Sequence, residues 1–188
     1  MSQSMRADAL RNRERLVSAA AELFTERGLD VPLEEVARRA GVSIGTLYNH
    51  FPNRGALLDE VLPARLAALD VLAEAAMGDP DAWRGFVTLL EGVFAMQARD
   101  RALNEAIARS QVGGVDAAAD CGRAGGALDA VAQRAREAGV LRFDFGPEDL
   151  VTLVSAMSKV IAMSAGDDAP WRRHLGFVLD GLRDCGHQ

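Results

Sequence analysis

The sequence predicts an all-α protein, and three observations carry that reading. Apolar residues recur at helical spacing along nearly the whole chain, no stretch alternates as a half-buried strand would, and glycines and prolines fall where helices of ordinary length would stop or start. The chain has 188 residues, 49% hydrophobic and 26% charged, the balance of a globular protein with a real core. No internal repeat is present.

The first helix is expected from near Arg6 to Arg27, with Leu16, Val17, Ala20, Leu23 and Phe24 on one face and Gly28 as its left-handed stop. After Leu29-Asp30-Val31, Pro32 suits the first position of a second helix whose apolar residues are Leu33, Val36, Ala37 and Ala40, ended by Gly41. Ser43 suits the cap of a very short third helix, Ile44 to His50. Pro52-Asn53 closes this headpiece, residues 1–53, and residues 54–188 form a helical body.

The body opens with a helix from Arg54 to about Met77 that contains Pro63, where a kink or break is expected. Gly78-Asp79-Pro80 ends it, and Asp81 to Ala98 follows with Trp83, Phe86, Val87, Leu90, Val93 and Phe94 on a broad stripe. Between Arg99 and Gly126 the glycines at 113, 114, 122, 125 and 126 each cost helix stability up to about 1 kcal/mol, so short helices and loops are expected. Then come a helix from Ala127 to Ala138, a stop at Gly139, a short extended piece from Val140 to Phe145, and a helix over 147–165 opened by Pro147. Leu150, Val151, Leu153, Val154, Met157, Val160, Ile161 and Met163 cover more than one face of that helix. With the last helix, Ala169 to Asp184, it is suited to form half of a four-helix bundle with a second subunit.

The net charge of −6 divides unevenly. Residues 1–54 sum to +1 and the remainder to −7, so the amino-terminal part alone is a plausible footprint for phosphate. The first residues carry charge throughout, with no signal-peptide core, and no apolar run is long enough to span a membrane, so the cytoplasm is the expected compartment. Cys121 and Cys185 lack metal or disulfide spacing and read as ordinary small residues, and His174 and His187 have no partner spacing. No phosphate loop, nucleophile elbow or metal-ligand pattern appears, and no cofactor is implied.

The stretch LEEVARRAGVSIGTLYNHF from Leu33 to Phe51 satisfies each demand of a helix-turn-helix. Ala37 is small where two helices cross, Gly41 permits the sharp turn, Val42 packs beneath it and Leu47 turns inward. The outward residues of the second helix are then Ile44, Gly45, Thr46, Tyr48, Asn49 and His50. Asn49 and His50 are the candidates for base edges, Gly45 allows close approach, and Ser43, Thr46, Tyr48 and Arg54 suit capping and phosphate contacts.

With Leu23-Phe24-x3-Gly28 before it and Tyr48-x2-Phe51-x2-Arg54-x2-Leu57 after it, this stretch resembles the TetR family of transcriptional regulators. Gly139-Val140-Leu141-Arg142-Phe143-Asp144 with Asp149-Leu150 is similar to the junction before that family's last two helices. The residue like Arg54 is usually Lys there and contacts phosphate, and Pro32 stands where a capping Thr is common. The resemblance implies a repressor that binds a palindromic operator in double-stranded DNA as a homodimer made by the last two helices. It also implies a small-molecule effector that releases the DNA.

For that effector, Phe86, Leu90, Phe94, Met157 and Ile161 are the candidate lining, with simple core packing as the plainer reading of each. Gln97, Asn104, Glu105 and Arg109 are the polar candidates nearby, read first as solvated surface. Two rivals stay open at this point. One is an all-α small-molecule-binding protein or enzyme without operator affinity; the other is a protein-interaction adaptor.

Overall fold

A computed structural model of the chain describes residues 3–110, 118–164 and 166–184. Among the described residues there are nine helices and no strand: α1 (Gln3–Arg27), α2 (Leu33–Ala40), α3 (Ile44–His50), α4 (Arg54–Gly78), α5 (Ala82–Arg99), α6 (Arg101–Ser110), α7 (Ala118–Glu137), α8 (Pro147–Met163) and α9 (Asp168–Leu182). The readings of Gly113, Gly114, Cys185 and His187, and of the Cys121 side chain, lie outside the described residues.

Two apolar cores organise the chain. The first gathers Leu16, Ala20, Leu23 and Phe24 of α1, Leu33, Val36, Ala37 and Ala40 of α2, and Leu47 of α3, and it extends to Leu57 and Val61 of α4 and Ala102 of α6. The second gathers Leu69 and Ala73 of α4, Phe86, Leu90 and Phe94 of α5, Val131 of α7, Met157 and Ile161 of α8, and Trp171 and Leu175 of α9.

The headpiece turns where its sequence requires. α1 stops at Gly28, whose φ is 87° and whose N–H donates to the Phe24 carbonyl at 2.8 Å. Gly41 takes φ 66° and ψ 37°; its N–H donates to the Arg38 carbonyl and that of Val42 to Ala37, the paired bonds of a left-handed helix stop. One expectation shifts by a residue: Pro32 is the cap of α2, with ψ 135°, rather than its first helical residue. Its side chain has no oxygen to offer, so that end of α2 lacks a side-chain cap bond.

In the body, α4 runs as one helix through Pro63 rather than breaking there. A longer difference concerns α7, expected to begin at Ala127: it begins at Ala118 and passes through Gly122, Gly125 and Gly126. Tertiary packing overrides the local glycine penalty, because the same helix buries Leu128, Val131, Ala132 and Ala135 in the second core. The extended piece after Gly139 makes one antiparallel bridge, Leu141 to Arg183. There Arg142 N–H donates to the Leu182 carbonyl at 3.0 Å and Asp184 N–H to Val140 at 3.1 Å. α8 starts at Pro147, with Asp149 accepting from the Gly146 N–H at 2.8 Å.

Helix α6 joins the two cores. Ala102 is fully buried in the headpiece core, and Glu105 accepts from the Leu29 N–H at 2.8 Å, lying where a Cβ on Gly28 would stand. Arg109 clasps both carboxylate oxygens of Asp30 at 3.2 and 2.6 Å. Just before α6, Asp100 pairs with Arg65 of α4, and Arg65 donates on to the Ala21 carbonyl at 2.9 Å and the Thr25 hydroxyl at 2.7 Å. Glu105, read from sequence as solvated, is half-buried, and Arg109 is exposed as read; together they form the clasp between body and headpiece. Their partners lie some 75 or more positions away, which helical periodicity does not register.

Candidate nucleic-acid interface

Helix α3 is held by one face and presents the other. Leu47 is completely buried, and the Ser43 side chain caps the helix by accepting from the Thr46 N–H at 3.1 Å. Ser43 and Thr46 hydroxyls are also hydrogen-bonded to each other at 2.9 Å, so both outward hydroxyls are oriented before any contact with DNA. Ile44 is 36% and Tyr48 47% exposed, Gly45 and Asn49 are exposed, and Thr46 and His50 are half-buried. Tyr48 is therefore a surface residue and not core.

Arg54 lies at the start of α4, where Asn53 caps by accepting from the Ala56 N–H at 2.9 Å. Its guanidinium donates to the Leu29 carbonyl, which ties the α1–α2 loop to the α4 start and leaves further N–H groups on a fork of five. Other headpiece arginines are spent in exposed ion pairs: Arg27 and Arg38 with Glu35, Arg39 with Glu22, and Arg13 with Glu60. Exposed pairs of this kind are worth about 0–1 kcal/mol, so exchanging a carboxylate for a phosphate costs little. The Asp30 carboxyl is held below the usual carboxylate range, chiefly by its hydrogen bond from Arg109.

The candidate effector residues Phe86, Leu90, Phe94 and Met157 are fully buried and Ile161 nearly so, all within the second core. Phe94 meets Trp171 edge-on, with ring centroids 6.5 Å apart. Among them lies a polar group that sequence reasoning placed on the surface. Gln97 is 1% and Asn104 7% exposed, and both bind Ser158 of α8. Ser158 donates its hydroxyl to Gln97 Oε1 at 3.0 Å, and Asn104 Nδ2 donates to the Ser158 carbonyl at 3.1 Å. Gln97 Nε2 and Asn104 Oδ1 are buried with no partner. An unmet buried donor or acceptor costs about 1–3 kcal/mol each, so this pair is unusual for a core. Ser158 was missed because a serine inside an apolar helix run carries no signal of its own.

A buried-anchor helix exposing a polar face, set behind a crossing helix and a glycine turn, defines a helix-turn-helix DNA-binding protein. Residues 16–61 match the bacterial regulatory proteins of the tetR family, and residues 79–184 match the C-terminal domain described as transcriptional regulator SbtR-like. The chain therefore belongs to the TetR family of transcriptional regulators, and it is a regulator rather than an enzyme. A curated relative is the HTH-type regulator TtgW of Pseudomonas putida, 32% identical over 101 residues, which are 53% of this chain and 75% of that protein. The chain spans 47% and 29% of the lengths of two further curated relatives it matches. The solved TetR regulator SCO0520 of Streptomyces coelicolor is 27% identical, with TM-score 0.61, covering 93% of this chain and 99% of that one. RolR, solved in complex with resorcinol, shares the fold at 21% identity, with TM-score 0.60, covering 94% and 90%.

Proposed function

We propose that the chain is an effector-responsive repressor that binds a palindromic operator as a homodimer. The observation that carries this reading is α3: a seven-residue helix locked by Leu47 and the Ser43 cap, with Ile44, Gly45, Asn49 and His50 turned outward to read bases. Ser43, Thr46, Tyr48 and Arg54 set the register on phosphates. Residues 1–53 act as the DNA-binding unit and 54–188 as the regulatory unit. The first turns of α4 belong mechanically to the headpiece, because Leu57 and Val61 sit in its core.

A helix this short cannot specify a site alone, so two copies are required, about 34–36 Å apart in successive major grooves. The outer faces of α8 and α9 supply the partner surface: Val151, Met163 and Phe177 are 41, 86 and 62% exposed, with small Ala156 and Ala162 between them. RolR takes resorcinol, and an effector in the body of this chain has a mechanical route to the headpiece through α6. Effector binding favours a headpiece separation that no longer fits DNA, by as much as its affinity differs between the two states. A repressor of this kind works on DNA in the cytoplasm; no described helix is long and apolar enough to cross a membrane.

The test is a salt-dependent shift assay on DNA upstream of the protein's own gene, with a genomic selection beside it. Specific binding to a two-fold-related sequence is expected. Specific binding to no genomic fragment would sink the repressor reading in favour of a binding protein that has left DNA behind.

A further inference from the structure

We infer that the Gln97, Asn104 and Ser158 group is the polar anchor of the effector site, and that the effector is an uncharged, mainly apolar molecule bearing a hydroxyl group. This rests on the proposed effector response and adds the chemical class that the site accepts.

Three observations converge. The two amides come from different helices, α5 and α6, and both bind the same residue of α8, yet each keeps one unpaired atom, Gln97 Nε2 and Asn104 Oδ1. Asn104 must point its NH2 at the Ser158 carbonyl, which fixes its oxygen as the free acceptor; the occupant must therefore donate a hydrogen bond. The Ser158 hydroxyl lies 3.0 Å from Gln97 Oε1 and 3.2 Å from the Val154 carbonyl, and when its single hydrogen goes to Gln97 the free Gln97 atom is the Nε2 donor, so the occupant also accepts. A hydroxyl does both.

Charge is the second constraint. Among the described residues the buried polar side chains are Gln97, Asn104, Ser158 and Ser164, and the nearly buried Arg65 and Asp100 are already paired with each other. A carboxylate or ammonium would be desolvated here without a counter-charge. The third constraint is the surroundings: on α5 Gln97 follows Phe94 by one turn, and on α8 Ser158 lies between Met157 and Ile161, all buried. An apolar ring or chain suits such walls.

Asn104 also places the site on the element that leaves it. Glu105, the next residue along α6, holds the Leu29 N–H of the headpiece loop, and Arg109 holds Asp30. A molecule that pulls on Asn104 therefore acts on the helix whose other face clasps the headpiece.

Benzyl alcohol, benzoate and benzylamine present one ring with a neutral, an anionic and a cationic group. Calorimetry with the full chain is expected to show saturable binding of benzyl alcohol at least tenfold tighter than of either ion. Gln97→Met and Asn104→Leu are each expected to weaken it at least fivefold with little change in melting temperature, since each removes one unpaired polar atom together with one hydrogen bond to Ser158. Equal binding of all three compounds, tighter binding of an ion, or no binding of the alcohol overturns the inference. So does unchanged alcohol affinity in both variants. A lowered melting temperature in both, with affinity unchanged, would mean the amides are satisfied by structural water. If Asn104→Leu fails to fold, Gln97→Met decides alone. Loss of alcohol binding in the variants, with operator affinity of the wild type indifferent to the alcohol, upholds the site and refutes the effector response instead.

Discussion

Asn49 and Gly41 show two ways in which a single position governs this protein. Asn49 is exposed, and its amide can meet adenine through two hydrogen bonds at once. Asn49→Ala is expected to weaken specific operator binding by about 1–3 kcal/mol, roughly 5- to 150-fold, with discrimination lost at one position of each half-site. Binding curves against single-base operator variants check it; a uniform loss across all variants would assign Asn49 to phosphate. Gly41 acts through the backbone. With φ 66°, an alanine there adopts a left-handed conformation costing about 1–2 kcal/mol, and its Cβ meets the Arg15 side-chain end, which can move. Gly41→Ala should therefore lower headpiece stability by about that amount in denaturant unfolding, without abolishing folding.

Among elements, α4 and α6 connect what the other helices build. On α4 the headpiece core ends at Val61 and the body core begins with half-buried Leu66 and buried Leu69, so the exposed Pro63 lies between the two. Proline lacks the N–H that would bond the Asp59 carbonyl, which makes this the weakest turn of the helix. Pro63→Ala is expected to stiffen the turn and to reduce effector-triggered DNA release severalfold in a shift assay, leaving effector-free operator affinity nearly unchanged. Unaltered release would remove the pivot from the mechanism. The α6 clasp carries its own pH signature. Arg109 depresses the Asp30 carboxyl, so the pair contributes stability above the unfolded pKa, and this is lost as pH falls below about 4. Asp30→Asn should lose less melting temperature than wild type between pH 6 and 3; Asp30 is exposed, so the difference will be small.

At the scale of the whole molecule, the proposed repressor depends on two headpieces held at one separation. Phe177 and Met163 stand on the face assigned to the partner, with Arg173 over the Phe177 ring at 5.5 Å. A carboxylate at 177 would pair with Arg173 and still have to be desolvated in a dimer, whereas in a monomer it stays solvated. Phe177→Asp combined with Met163→Asp is expected to yield a folded monomer in sedimentation and to lower operator affinity at least a hundredfold. A variant that stays dimeric moves the interface elsewhere.

How much was legible in the sequence follows from the range of the forces involved. Helix ends at Gly28 and Gly41, the Ser43 cap, the inward Leu47 and the outward face of α3 were determined by residues within about one turn of each other, and the helix-turn-helix is built from such local constraints. The cap position of Pro32, the continuity of α4 through Pro63 and the early start of α7 were decided by packing that local propensity does not see. Gln97, Asn104, Glu105 and Arg109 look alike in sequence, as polar residues of two successive helices. Tertiary structure alone separates them, burying two amides against Ser158 and turning two charges onto the headpiece loop, because burial and pairing depend on partners as many as 79 positions away.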